Sequence, residues 1–322
     1  MKKIVGILLA GALVVSAFAA DVSAAVQGYG DLFTMEFKEG AKPSVLGWND
    51  PWDREFAWYS TGIGLAATTE KAGVSFELDN RDLTVKNSKF WIKPIDMLKI
   101  QLGANTIGIP KETIDYAGTV FTSSYEGWFF ELAPIDGLTF EAGLATGQKG
   151  GWQTYYWYNG DTMGEVLFSA KYNVEGIGSF KALYDLNEKK NTIALDYVGN
   201  FDSLMVSPAV AYKINDKILL ADLYVTTNIS GFGINVYSKV DVPVEAADTT
   251  AVLLNTKFSY GISLGTLSLQ LKDENLLAKN FAMMAKLDLA FNCGSAGMNV
   301  GVQLDIAENV KVSVPFQYNL HF

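Results

Sequence analysis

Residues 309–322, the last fourteen of the chain, constrain it more than any other stretch. Val310, Val312, Val314, Phe316, Tyr318, Leu320 and Phe322 take alternate positions, and Lys311, Ser313, Pro315, Gln317, Asn319 and His321 fill those between. Successive side chains of a β-strand point to opposite faces, so a period of two describes a strand that is apolar on one side and polar on the other. Strands of ordinary sheets run about 5–6 residues. A strand tilted near 45° crosses bilayer hydrocarbon in about 9–11 residues, and this segment is long enough to do so. Alternation alone says only that one face is buried, and a soluble sandwich with an apolar core satisfies it as well.

The same grammar recurs through the chain. Leu98, Ile100, Leu102 and Ala104 alternate with Lys99, Gln101, Gly103 and Asn105, and Leu138, Phe140, Ala142 and Leu144 with Thr139, Glu141, Gly143 and Ala145. Val166, Phe168, Ala170 and Tyr172 interleave with Leu167, Ser169, Lys171 and Asn173. Ala285, Leu287, Leu289 and Phe291 face away from Lys286, Asp288, Ala290 and Asn292, and Met298, Val300, Val302 and Leu304 from Asn299, Gly301, Gln303 and Asp305. No stretch holds a long 3.6-residue period, so the chain reads as all-β.

The connections fall into two classes. Tight turns are marked by Pro94-Ile95-Asp96 and its near repeat Pro134-Ile135-Asp136, and by 175–178, 200–203, 228–231, 265–266 and 292–295. Proline fixes φ and Asp caps a turn through its side chain. Other connections are longer: 38–53, 106–123, 147–161 and 241–248. Placing the tight turns at one end and the rest at the other gives a consistent alternation of about 18 strands, with 16 or 14 if short strands merge. Both termini then share the tight-turn end. In hydrocarbon every backbone N–H and C=O needs a partner, which an antiparallel sheet meets only by closing into a barrel.

The N-terminus specifies export. Met1-Lys2-Lys3 precedes an apolar run from Ile4 to Val15 and then Ser16-Ala17-Phe18-Ala19-Ala20, the pattern of a signal peptide cleaved after Ala19 or Ala20. Residues 1–19 are therefore read as the signal peptide and 20–322 as a single domain. Losing Lys2 and Lys3 takes the formal charge from −10 to −12, and an acidic chain without a basic cluster argues against nucleic acid. One Cys, Cys293, and one His, His321, exclude an intramolecular disulfide and a four-ligand Cys/His zinc site. Thirty Gly with 19 Phe, 15 Tyr and 7 Trp suit tight turns and aromatic girdles.

With the signal peptide and the ending Phe316-x-Tyr318-x-Leu320-x-Phe322, the chain resembles the bacterial outer-membrane porins, transmembrane antiparallel up-and-down β-barrels with short periplasmic turns and longer extracellular loops. The resemblance implies passive diffusion of small hydrophilic solutes through a water-filled lumen. It also implies contact with outer-membrane lipid and reading of Phe316, Tyr318, Leu320 and Phe322 by the barrel-assembly machinery. It leaves a homo-oligomeric assembly open and identifies no subfamily.

Parity marks the lumen-facing candidates as Lys99, Gln101, Glu141, Lys171, Lys181, Asp185, Lys257, Gln270, Lys272, Lys286, Asp288, Asn299, Gln303, Asp305 and Lys311. Both signs occur, and strong ion selectivity would need rings of one sign. By the resemblance, the third long connection, 106–123 with Lys111, Glu112 and Asp115, is the constriction candidate. Two aromatic patches, 47–53 and 152–161, fit an outer girdle or loop packing better than a sugar track. Asp50, Asp53 and Asp161 lack the spacing of a calcium loop. Outer-membrane hydrolases pair a His with Ser, Asp or Asn, and the lone His321 lies beside the C-terminus, so no catalytic, metal or cofactor site and no enzymatic activity is expected. Two other roles remain open: a non-conducting surface barrel serving as adhesin or structural protein, and a substrate-specific uptake barrel for sugars or apolar solutes.

Overall fold

Alternating side chains become strands almost wherever the sequence carries them. The computed structural model describes residues 21–37, 44–47, 60–79, 85–110, 119–145, 158–159, 162–163, 166–186, 191–245, 249–279, 282–294 and 296–321. Its first half holds β1 (Asp21–Phe37), β2 (Ser44–Gly47), β3 (Ser60–Thr68), β4 (Ala72–Asp79), β5 (Val85–Ile95), β6 (Leu98–Pro110), β7 (Thr119–Ile135), β8 (Leu138–Ala145), β9 (Tyr158–Asn159) and β10 (Thr162–Met163). The second holds β11 (Val166–Val174), β12 (Gly178–Leu186), β13 (Thr192–Phe201), β14 (Leu204–Lys213), β15 (Ile218–Ile229), β16 (Phe232–Pro243), β17 (Ala251–Ile262), β18 (Gly265–Asp273), β19 (Met283–Cys293), β20 (Ala296–Ile306) and β21 (Val310–His321).

Eighteen of these strands form one antiparallel up-and-down series in chain order, omitting β2, β9 and β10. β8 is followed in the sheet by β11. β1 bonds to β21 on one side, from Ala25↔His321 to Phe37↔Val310, and to β3 on the other, from Asp21↔Thr68 to Tyr29↔Ser60. Each of the eighteen therefore has two neighbours, and the pairing returns to its start. The count is the upper of the expected values; 14 and 16 are overturned. The lower counts assumed that short strands merge, and the structure keeps them separate.

Three expected loops are corrected. The connection 106–123 is largely strand, because β6 runs on to Pro110 and β7 begins at Thr119. The connection 38–53 contains β2, which takes over the β3 side of β1 at Thr34, Met35 and Glu36. The expected connection 241–248 likewise starts later, since β16 extends to Pro243. At the tight-turn end, two or three residues suffice: 69–71, 96–97, 136–137, 175–177, 202–203, 230–231 and 263–264. Asp202 and Ser230 adopt positive φ of 52° and 53° there, the left-handed geometry that two-residue hairpins require.

The faces of the sheet are sorted opposite to those of a soluble sandwich. On β18, Gln270 is 1% exposed while its neighbour Leu269 is 41% exposed. Asp185, Thr192, Ser207, Asp222, Asn255 and Ser313 are likewise buried, whereas Phe168, Ile193, Leu195, Leu219, Leu223, Leu287 and Val302 lie open on the outer surface. Near the tight-turn end that outer surface carries Tyr172, Phe180, Phe201, Phe232 and Tyr260. Tyr197 joins them, its ring 4.9 Å from that of Phe180 and its hydroxyl donating to the Ile177 carbonyl at 2.6 Å. Apolar rings with a polar tip at one level are the furniture of a membrane–water boundary.

Candidate functional site

The barrel interior divides into three sectors. The first is apolar. Leu167, Leu183, Ala194, Ala209, Ala211 and Leu220 sit at inward positions on β11 to β15 and form one buried cluster with Phe129 and Ile107. Ile107 belongs to β6, which is not a wall neighbour of β12 to β15, yet β6 approaches β12 and β13, and β7 approaches β14 and β15. The outer half of the β6–β7 hairpin therefore leaves its own place in the wall, folds into the interior and packs against the stretch of wall formed by β12 to β15.

The hairpin leaves the wall at a defined level. β5 pairs with β6 as far as Lys89↔Gly103, and β8 with β7 as far as Gly127↔Ala145. Beyond those pairs, among the described residues, β6 and β7 bond only to each other, from Gly103↔Gly127 to Pro110↔Thr119. Gly103 has φ of 112°, and a Cβ there would lie 2.2 Å from the Ser88 carbonyl oxygen, so the bend requires glycine. Asn105, buried just past it, donates from Nδ2 to the carbonyls of Gly103 at 2.7 Å and Gly127 at 3.1 Å. Gln101 donates in turn to Asn105 Oδ1.

The second sector, β16 to β21, is polar, and its charges come largely in same-strand pairs. Side chains two apart on a strand share a face. Lys239 Nζ lies 3.1 Å from the Asp241 carboxylate, Lys272 Nζ 2.9 Å from Glu274, and Lys286 Nζ 3.0 Å from Asp288. On β20 the same spacing lets Gln303 Nε2 donate to both Asp305 oxygens, at 2.9 and 3.0 Å. Between these pairs, Gln270 donates to Asn255 Oδ1 at 3.0 Å and Tyr237 to Asp222 Oδ2 at 3.3 Å. Lys257 stands opposite Gln270, and Lys311 stands opposite Asp305 and Glu36. Asp288 leans over Gly301, where a Cβ would meet its Oδ1 at 2.0 Å.

The third sector lies on β5 to β12. Lys99 Nζ lies 5.6 Å from the Trp91 ring centroid, within cation–π range. Glu131 stands opposite both Lys99 and Glu141. Lys181 Nζ reaches Glu141 Oε2 at 2.8 Å, and the Ser169 hydroxyl donates to the same oxygen.

The residues expected from parity to face the lumen share, by register, the face that carries the buried polar side chains, and Gln101, Asp185 and Gln270 are buried most deeply. Lys171 shares that face but is exposed toward the tight-turn end. Lys111, Glu112 and Asp115 lie outside the described residues, as do Phe322 and the aromatic patches except Gly47 and Tyr158–Asn159. Phe316 and Tyr318 are neighbours on β21, with rings 6.3 Å apart. Sequence reasoning missed Asn105, Ile107 and the apolar cluster. The signal was available as apolar residues on the polar parity of five successive strands. Among the described residues no group of His, Cys, Asp and Glu side chains is arranged to hold a metal, and no helix is long and apolar enough to cross a membrane, which says nothing of strands.

An antiparallel barrel with a polar interior and an apolar exterior is the architecture of an outer-membrane barrel. No family model and no curated protein matches the sequence. Among solved structures, Pseudomonas aeruginosa OpdL superposes with a TM-score of 0.61 at 10% identity, covering 94% of this chain and 98% of its own. P. aeruginosa OccK11 (OpdR) gives 0.60 at 9% identity, over 94% and 96%. P. aeruginosa OpdK, solved with vanillate, gives 0.54 at 9% identity, over 94% and 99%. The chain has the fold of these outer-membrane porins.

Proposed function

We propose that the protein is an outer-membrane channel through which small hydrophilic solutes diffuse, exported by way of residues 1–19. The observation that carries this reading is the sorting of the two faces: polar and ionic side chains buried within, large apolar ones exposed without. In water that arrangement wastes the hydrophobic driving force; in lipid it is the stable one, since each outward apolar side chain meets hydrocarbon. The tight turns then face the periplasm and the other connections the outside. Gln101, Glu141, Lys181, Lys257, Lys272, Lys286, Asp288, Gln303, Asp305 and Lys311 line the path, Lys99, Lys171 and Asp185 complete its charge pattern, and the β6–β7 hairpin narrows it, with Lys111, Glu112 and Asp115 kept from the sequence as constriction candidates. Phe316, Tyr318, Leu320 and Phe322 would serve as the assembly signal.

A second reading, a solute-selective channel, is favoured by the hairpin, because a hairpin folded into the interior leaves less open section than a bare cylinder. OpdK, of the same fold, was solved with vanillate. Purified, folded protein in a planar bilayer is expected to give discrete current steps. A bilayer that stays silent at protein levels where insertion is verified refutes the channel and returns the barrel to a surface role. Liposome swelling with sugars and aromatic acids of graded size then separates general diffusion from selective uptake.

A further inference from the structure

We infer that Asn105 is the residue that holds the β6–β7 hairpin in its inward position, and so sets the open section of the pore; this rests on the channel reading above. A two-stranded hairpin with no sheet neighbour is free to swing about the level at which the flanking strands stop pairing. Here that level is the Gly103–Gly127 pair, where both backbones lack a side chain to limit the swing. The Asn105 amide nitrogen donates to the carbonyls of both glycines, tying the two strands together just beyond the bend. Its oxygen is taken by Gln101, which sits on the wall side of the bend. A single buried amide therefore spans both strands of the hairpin and the wall from which it departs. The apolar cluster beneath Ile107 supplies adhesion without direction, since the hydrophobic effect is non-directional. The angle comes from the hydrogen bonds, which are directional.

The test uses the full-length protein with Cys293→Ser to remove the native thiol and Ile107→Cys as a reporter, because Ile107 is 1% exposed in the docked hairpin. A water-soluble thiol reagent should label position 107 slowly. Adding Asn105→Ala should raise the labelling rate at least about tenfold, the low end of what is expected when three hydrogen bonds holding one state are lost, and should enlarge or destabilise the single-channel current. Asn105→Asp, which keeps the shape and the acceptor for Gln101 but presents oxygen to both glycine carbonyls, should act in the same direction. Labelling and current both unchanged within twofold, in barrels that still run as folded on unheated gels, overturn the inference. So does failure of both variants to fold, since the hairpin lies off the wall. If the unsubstituted protein carries no current, the channel reading falls while the labelling rate still decides the role of Asn105.

Discussion

In the proposed channel, neutralising one carboxylate inside the polar sector should shift ion preference toward anions. Lys286 Nζ and Asp288 Oδ2 lie 3.0 Å apart, with side chains 20% and 12% exposed, so a passing ion meets a dipole and not a net charge. Asp288→Asn keeps the shape and leaves the ammonium without its neighbouring anion. An ion at roughly 7 Å from that ammonium feels about 0.6 kcal/mol in water, close to RT, which enriches anions about 2.5-fold over the uncharged case. At 0.15 M salt a Debye length of about 8 Å reduces this to roughly 0.25 kcal/mol, a factor near 1.5, whereas at 0.01 M most of the effect survives. Reversal potentials across a tenfold KCl gradient should therefore move toward the anion limit in Asp288→Asn, clearly in dilute salt and faintly in concentrated salt. Lys286→Gln should move them the other way. A shift of the same size in 1 M and 0.01 M salt, or none in either, would refute placement of this pair beside the permeation path. The folded fraction of each variant must be checked, because separating a partly buried ion pair leaves the surviving charge poorly solvated.

Two further expectations concern the outer surface and the chain end. Leu195→Arg puts a charge on the middle of β13 facing outward, where the apolar side chain is 53% exposed; in lipid this should cost about 2–4 kcal/mol near the midplane, measured as a loss of folded protein in bilayer refolding titrations. A stability unchanged by that substitution would mean that this face does not meet hydrocarbon. Tyr318→Ala, beside Phe316 on β21, should lower the share of protein that reaches the heat-modifiable folded form in cells more than it lowers refolding in detergent. An equal loss in both assigns Tyr318 to packing and not to recognition.

The architecture was largely legible from the sequence, because a period of two is a local property that residues such as Leu269 and Gln270 or Leu287 and Asp288 display without reference to the rest of the chain. The polarity of the faces did not follow from alternation, which serves a sandwich and a membrane barrel alike. The expectation of an apolar exterior rested on the leader sequence, the terminal aromatic residue and the two classes of connection. The pairing of β1 with both β3 and β21, with Gln270 buried and Leu269 exposed, agrees with it. The inward hairpin was half legible. Its place in the chain follows from counting connections, but β6 and β7 extend well into what reads as a loop, since Thr119, Val120 and Phe121 carry strand propensity without clear alternation. The clustering of Ile107 and Phe129 with residues of β11 to β15 joins positions far apart in sequence, and no local rule reports it. The neutralisation of Lys239, Lys272 and Lys286 was present as a Lys-x-Asp or Lys-x-Glu spacing, though that spacing has this meaning only once the strands are known.

The seam between β1 and β21 joins Ala25 to His321, so almost the whole polypeptide must be synthesised before the cylinder can be sealed. Until then the first strand offers an unsatisfied edge, a template on which a second nascent molecule can add, and so long a separation between partners also makes closure slow. A chain laid out this way needs an escort during its transit, and its yield should fall with its own concentration long before any fault arises in the finished barrel.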